Sequence, residues 1–393
     1  MLLKTRSNML SLKDYVGREQ SFLKHTILET YLQRLFMIIG RAEVTINYVD
    51  CFAGPWADDN KELKDTSIGL SIEQMRKCVA TLRKNHQKTV TFRALYIEKD
   101  RAAFSRLQEY LDKHRDPAVH VECRHGDYTT LIPDIMAWSQ DHFTFFFVDP
   151  KGWKGIIGPT TMQMLLERPK TEFLINLMYD FANRAASIEK HEADMVELLG
   201  EALALDGDET ADIRQDRFLG LYRKNTQNTY GGRSAYVPIN RPGTTKLLYF
   251  LVYLTRHPLG IKVFKEAAEK MMVAQRVTHA EVQLRKQFEA APVSDLFAMD
   301  DVAEHCITAT DNRLLAKQFL LKKLSITPVL VDYDLWATWL EESDLYPSDL
   351  QLGMKELVAE GLVKNLNADV SKRRTQFIQP NYPKESERWC LSN

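Results

Sequence analysis

The stretch VTINYVDCFAGPW (44–56) decides the fold. Its first seven residues are β-branched and aromatic and read as a buried strand. Asp50 closes that strand, and the small residues Ala53 and Gly54 then give a tight turn in which a ligand can approach the backbone. Upstream, FLKHTILETYLQRLFMIIG (22–40) repeats apolar positions at helical spacing and stops at a glycine. Downstream, strands are expected at 92–98, 119–123, 143–148 and 172–178, with helical patterns at 68–84, 101–113, 129–140 and 160–168 between them. Nearly all-apolar strands alternating with helices predict a parallel sheet covered on both faces.

SAYVPIN (234–240) and KLLYFLVYLT (246–255) are separated by a short turn and are expected to pair antiparallel. Residues 185–233 read as a helical insertion, and DGDETAD (206–212) within it as a solvated acidic turn rather than a calcium loop. The chain is helical again from about 258 to 290. Helices at 312–324, 332–342 and 347–361, then a strand pair at 362–366 and 375–380, predict a winged helix, with Ser348 capping its third helix and Gly361 ending it. The expected organisation is a helical lead-in (1–40), a Rossmann-like sheet domain (41–258), a helical connector (259–309) and the winged helix (310–393).

The 393 residues carry 52 basic and 53 acidic side chains, 45% hydrophobic residues and 27% charged ones, which excludes a disordered or fibrous chain and a surface uniformly basic for nucleic acid. Five scattered cysteines without a CxxC pair suggest neither a zinc ribbon nor a disulfide framework, and are read as buried or incidental. Without a signal-like leader or a membrane-length apolar run, the expectation is a cytoplasmic protein with no membrane association.

Four acids sit at strand ends: Asp50, Glu98, Asp127 in HGDY (125–128), and Asp149 in DPKGW (149–153). In an open parallel sheet, ligands bind beyond these carboxyl ends. Singly, each acid is more often a helix cap; in this order they describe a nucleoside site, with Glu98 placed for ribose hydroxyls and Asp127 for an exocyclic amine. The first turn lacks GxGxxG, and no glycine-lysine-hydroxyl turn follows any strand, which disfavours nicotinamide dehydrogenases and P-loop enzymes.

YVDCFAGP (48–55), YIEKD (96–100), HGDY and FFFVDPKGWKGI (145–156), with the terminal hairpin, resemble the class I S-adenosylmethionine-dependent methyltransferase fold, a parallel sheet with an antiparallel last strand. The whole set resembles more closely the three-Cys-motif partner family of bacteria. That likeness adds Lys24-His25, MYDFANR (178–184) and TRHPLG (255–260), and covers roughly residues 20–290. It implies S-adenosylmethionine as cofactor, bordered by Asp50, Ala53 and Gly54 at the methionine end, by Glu98 at the ribose and by Asp127 at the adenine, with Phe52, Pro55, Lys99, Tyr128 and Asp149 as further cofactor-binding candidates. Asp149 and Pro150 would face the methyl group, and Lys24 and His25 the acceptor, with His25 as the general-base candidate. Phe52, Tyr128 and Trp153 are candidate aromatic walls for a cationic donor.

Two departures matter. Trp56 follows a turn that is usually glycine-rich, and DPKG replaces the aspartate-proline-proline-aromatic clamp of base N-methylases. The expected partners are a three-Cys-motif protein that looks like a radical S-adenosylmethionine enzyme, and nucleic acid contacted by Lys372, Arg373 and Arg374 of the wing. The third helix of the tail is acidic on balance and ill suited to a major groove. Two competing readings stand beside methyl transfer to a nucleic acid or protein: a noncatalytic adaptor or nucleic-acid-binding protein of a bacterial defence or mobile-element system, and a metal-dependent nuclease using Asp149 with Glu98.

Overall fold

The computed structural model describes residues 10–54, 66–186, 189–203, 209–290, 311–368, 376–380 and 386–392. Seven strands form one sheet: β1 (Thr45–Asp50), β2 (Thr91–Glu98), β3 (Val119–His125), β4 (Phe143–Val148), β5 (Thr171–Leu177), β6 (Arg233–Asn240) and β7 (Leu247–Thr255). Their order is β3-β2-β1-β4-β5-β7-β6. β1 to β5 run parallel, and β7 lies antiparallel between β5 and β6. This mostly parallel, Rossmann-like sheet with an antiparallel hairpin agrees with the strand pattern, and with the methyltransferase-like arrangement that the resemblance implied. β1 and β4 are adjacent but not consecutive, so strand order reverses beside β1, where such sheets open a crevice.

β4 and β5 are buried along their whole length, so both faces must be covered. One face packs α1 (Glu19–Ile39), α2 (Ser67–His86), α3 (Arg101–Lys113) and the long α9 (Pro258–Ala290). The other packs α4 (Ile132–Ser139), α5 (Gln163–Glu167), α6 (Tyr179–Ala186), α7 (Glu192–Leu199) and α8 (Ala211–Tyr230). Thr66, Asp100 and Thr210 cap α2, α3 and α8 through their side chains, each satisfying an otherwise orphaned backbone donor.

Beneath α1 lies a polar cluster. Glu172, 5% exposed, accepts hydrogen bonds from Tyr31 Oη (2.5 Å) and Thr255 Oγ1 (2.8 Å), and Tyr31 also meets Tyr253 Oη (2.5 Å). Burial pushes the Glu172 carboxyl up.

The tail forms α10 (Arg313–Lys323), β8 (Val329–Val331), α11 (Tyr333–Glu342), α12 (Pro347–Ala359), β9 (Val363–Asn365) and β10 (Glu387–Leu391), with a small sheet in the order β8-β10-β9. Two expectations need correction. The strand opposite β9 is Glu387–Leu391, not 375–380: the backbone N–H of Ile378 donates to Gln351 Oε1 (2.6 Å) and its carbonyl accepts from Gln351 Nε2 (2.7 Å), so a side-chain amide supplies what a ladder would. Ser348 does not cap α12. Tyr346 is the N-cap, its N–H donating to Asp349 (2.9 Å), and Ser348 turns to Glu269 of α9. Lys372, Arg373 and Arg374 lie outside the described residues.

The tail packs against edge strand β6 and α9. Glu341 accepts from the Ser234 N–H (2.9 Å) and pairs with Arg233. Lys265, 3% exposed, donates to the carbonyls of Ser343 (3.1 Å) and Leu345 (3.4 Å), and burial pushes its ammonium down to about 8. An exposed strand edge is thereby covered. Among the described residues no helix is long and apolar enough to cross a membrane.

Candidate cofactor and active site

The carboxyl ends of β1 to β4 open into a pocket of about 760 Å³, lined by Cys51, Phe52 and Gly54 after β1, by Ile97 to Asp100 around the end of β2, by Gly126 to Tyr128 after β3, and by Asp149, Lys151, Gly152 and Ile156 after β4. Backbone bonds fix these turns to one another: Ala53 N–H donates to Ile97 O (2.8 Å), Cys51 N–H to Phe147 O (3.0 Å) and Gly126 N–H to Glu98 O (3.0 Å).

Three of the four strand-end acids line this pocket. Glu98 is 7% exposed; Oε1 accepts from the Asp100 N–H (2.6 Å), while Oε2 accepts no hydrogen bond among the described residues. It lies so close to Gly54 that a Cβ there would collide with it, which explains the glycine by close approach rather than by turn conformation. Asp127 pairs with Lys99 (2.7 Å) and accepts from the Thr129 N–H (3.0 Å) and hydroxyl (2.8 Å). The Lys99 hydrogen bond, helped by Thr129, holds its carboxyl below the usual range. Asp149 is clamped on both oxygens, by Lys24 Nζ of α1 (2.5 Å) and by Asn176 Nδ2 of β5 (2.7 Å).

Asp50 differs from its expected place. It is fully buried and sits behind the pocket wall, accepting from the Phe52 N–H (3.1 Å) and from Ser67 Oγ at the start of α2 (2.6 Å). It builds the turn rather than facing a ligand. Burial pushes its carboxyl up to about 7, against the pull of Ser67 and Phe52, and the Asp149 charge adds to the rise. Ala53 and Pro150 are also buried and do not line the pocket.

His25 is 8% exposed, faces Tyr15 Oη through Nδ1 (3.1 Å) and does not line the pocket. Of the proposed aromatic walls, Phe52 and Tyr128 line it with ring centroids 5.3 Å apart, whereas Trp153 is buried in the core beneath. The Tyr128 hydroxyl is buried and has no hydrogen-bond partner among the described residues. Pro55 and Trp56 lie outside the described residues. Asn176 and Ser67 were not singled out from sequence; the signal for Asn176 was a lone amide in the apolar run FLINLM. Among the described residues no three His, Cys, Asp or Glu side chains gather as a metal site.

A carboxyl whose folded pKa is raised favours the folded state most below the unfolded value near 3.9, and that contribution fades as pH climbs through the folded value. Asp50→Asn, a neutral isostere, is therefore expected to remove a loss of stability, on the order of 2–4 kcal/mol, that the parent shows between about pH 4 and 7. Urea midpoints of both proteins across that range check it; parallel curves would contradict it.

No family model matches the chain, and no curated protein matches it. Solved structures to which it is similar include a proposed methyltransferase, yhhF, from Escherichia coli, at 13% identity over 57% of this chain and 85% of that one, with a TM-score of 0.27. Another is a loganic acid methyltransferase with SAH, at 10% identity over 66% and 84%, with a TM-score of 0.26. Overlap that loose leaves the fold resting on the sheet order itself.

Proposed function

We propose that this chain is an S-adenosylmethionine-binding, methyltransferase-like protein: a cytoplasmic bacterial member of the three-Cys-motif partner family, with a winged helix as its C-terminal domain and a three-Cys-motif, radical-enzyme-like protein as companion. The supporting observation is the convergence of Glu98, Asp127 and Asp149 on one crevice beside the reversal of strand order. The residues fit the cofactor. The volume suits a nucleoside with an amino-acid tail, and among the described residues Glu98 has an unused carboxylate oxygen where ribose hydroxyls are expected.

S-adenosylmethionine supplies, when bound, a methyl group on a cationic sulfur. Phe52 and Tyr128 give an aromatic wall suited to that cation. Asp127, paired with Lys99, accepts from the adenine amine in this reading. Lys24 and Asn176 hold Asp149 in one orientation, and methyl transfer depends on such alignment more than on acid or base power. The acceptor is macromolecular in this reading, a nucleic acid or a protein.

Calorimetry with S-adenosylmethionine is the test. The intact protein is expected to bind at micromolar concentration, and Asp127→Ala to bind about tenfold more weakly, the loss of roughly one hydrogen bond to a charged group. Absence of binding by the intact protein would replace this reading with the noncatalytic adaptor.

A further inference from the structure

Beyond β5 the chain enters α6, and Asp180 in its first turn is 7% exposed. Three cations converge on it: Lys246 (2.9 Å), Arg241 (3.5 Å) and Arg184 (3.5 Å). Their side chains remain 55%, 51% and 59% exposed, so one buried negative charge carries three positive ones outward. Next to them Phe181 is 51% exposed, an unusual position for a large aromatic, and the Arg184 guanidinium lies 4.9 Å from its ring centroid. The neighbouring acids Asp212 and Asp216 of α8 share the surroundings of Tyr179 with Arg214.

This patch lies at the pocket end of the sheet. Asn176, near the end of β5, bonds Asp149 in the pocket, and the β6–β7 turn that carries Arg241 and Lys246 leads into β7 alongside Leu177. Lys151 lines the pocket on the β4 side.

Resting on the methyl-transfer reading above, we infer that the lip formed by Arg184, Arg241, Lys246 and Phe181 binds a single-stranded nucleic acid, the strand that carries the methyl acceptor. Exposed cations around an aromatic face are what such strands require: phosphates meet the cations, and a base of any identity stacks on the ring. Asp149 is 18% exposed, within the pocket, so an acceptor held in a duplex would have to leave its stack to reach it. Its residues are other than Lys372, Arg373 and Arg374.

Fluorescence anisotropy with labelled oligonucleotides of roughly 12–15 nucleotides tests this. Single-stranded DNA and single-stranded RNA are separate arms, with duplex DNA and polyglutamate as competitors. The intact protein is expected to bind at least one of the single strands more tightly than either competitor. Its log K should fall with log salt at a slope of about −2, from three phosphates at about 0.7 each. Arg241→Gln/Lys246→Gln is expected to bring the slope near −0.7 and to weaken binding about tenfold or more. Phe181→Ala should weaken it about fivefold or more, whatever the base. Calorimetry on the same samples should show cofactor affinity unchanged in both variants, which also reports that they are folded.

No strand binding, tighter binding of duplex or polyglutamate, or variants indistinguishable from the parent would overturn the inference. Strand binding by a protein that does not bind S-adenosylmethionine would sink the methyl-transfer reading and leave the surface standing.

Discussion

Truncating Glu98 to Ala is expected to weaken S-adenosylmethionine binding by about a hundredfold, on the order of 3 kcal/mol, with two hydrogen bonds to a charged acceptor lost at about 1.5 kcal/mol each. The carboxylate is nearly buried, one oxygen is spent on the Asp100 N–H, and the other faces the glycine turn with no partner among the described residues. Stability should fall by only about 1 kcal/mol, because a single backbone N–H loses its acceptor. Gly54→Ala supplies the control. Its methyl group would occupy the space of Glu98 Oε2 and force the carboxylate aside, so affinity should drop by a similar factor with the carboxylate still present. Since both changes act through one atom, the double variant should lose little more than either single one. Additive losses in calorimetry would show that Gly54 and Glu98 act separately and that the proposed ribose contact is wrong.

Arg256→Ala should be the most destabilising of the substitutions considered, by about 4 kcal/mol in urea unfolding, from several acceptors left without a donor at about 1–3 kcal/mol each. Its guanidinium donates to the carbonyls of Leu166 (2.7 Å), Arg168 (2.9 Å) and Tyr230 (2.8 Å) and to Thr171 Oγ1 (3.0 Å), and lies 4.0 Å from the Tyr230 ring centroid. One side chain thus joins the segment before β5, the start of β5 and the end of α8. Arg256→Lys is expected to recover little, because a lysine presents no planar fork to four acceptors in different directions. The site lies at the opposite end of β5 from Asp149, so cofactor binding by the folded variant should be unaffected; a large affinity loss without a stability loss would contradict this role. The resemblance had drawn attention to TRHPLG, and the hydrogen bonds assign its arginine to holding the sheet's other end together.

The strands and helices of the sheet were legible because burial on both faces leaves a local signature. FTFFFV and EFLINLM admit little else than buried strands, and β4 and β5 fall within a residue of the expected limits. The acids at strand ends were legible for the same reason, a polar residue standing out after an apolar run. Their destinations were not. Asp50 and Glu98 end neighbouring strands in the same way, yet one is sealed behind the wall and the other opens into the pocket, because Ser67 on a helix beginning 17 positions later closes over Asp50.

The sequence by itself determined which segments of the seven-stranded domain are strands and helices and which end of its sheet gathers carboxylates, since periodicity and small-residue turns are properties of neighbouring residues. Only the tertiary structure decided that Lys24 would meet Asp149 across 125 positions, that Asn176 would hold its other oxygen, and that Arg184, Arg241 and Lys246 would surround Asp180. Those pairings depend on strand order, register and helix docking. A chain read residue by residue does not carry them, because each is set by the simultaneous packing of elements distant in sequence.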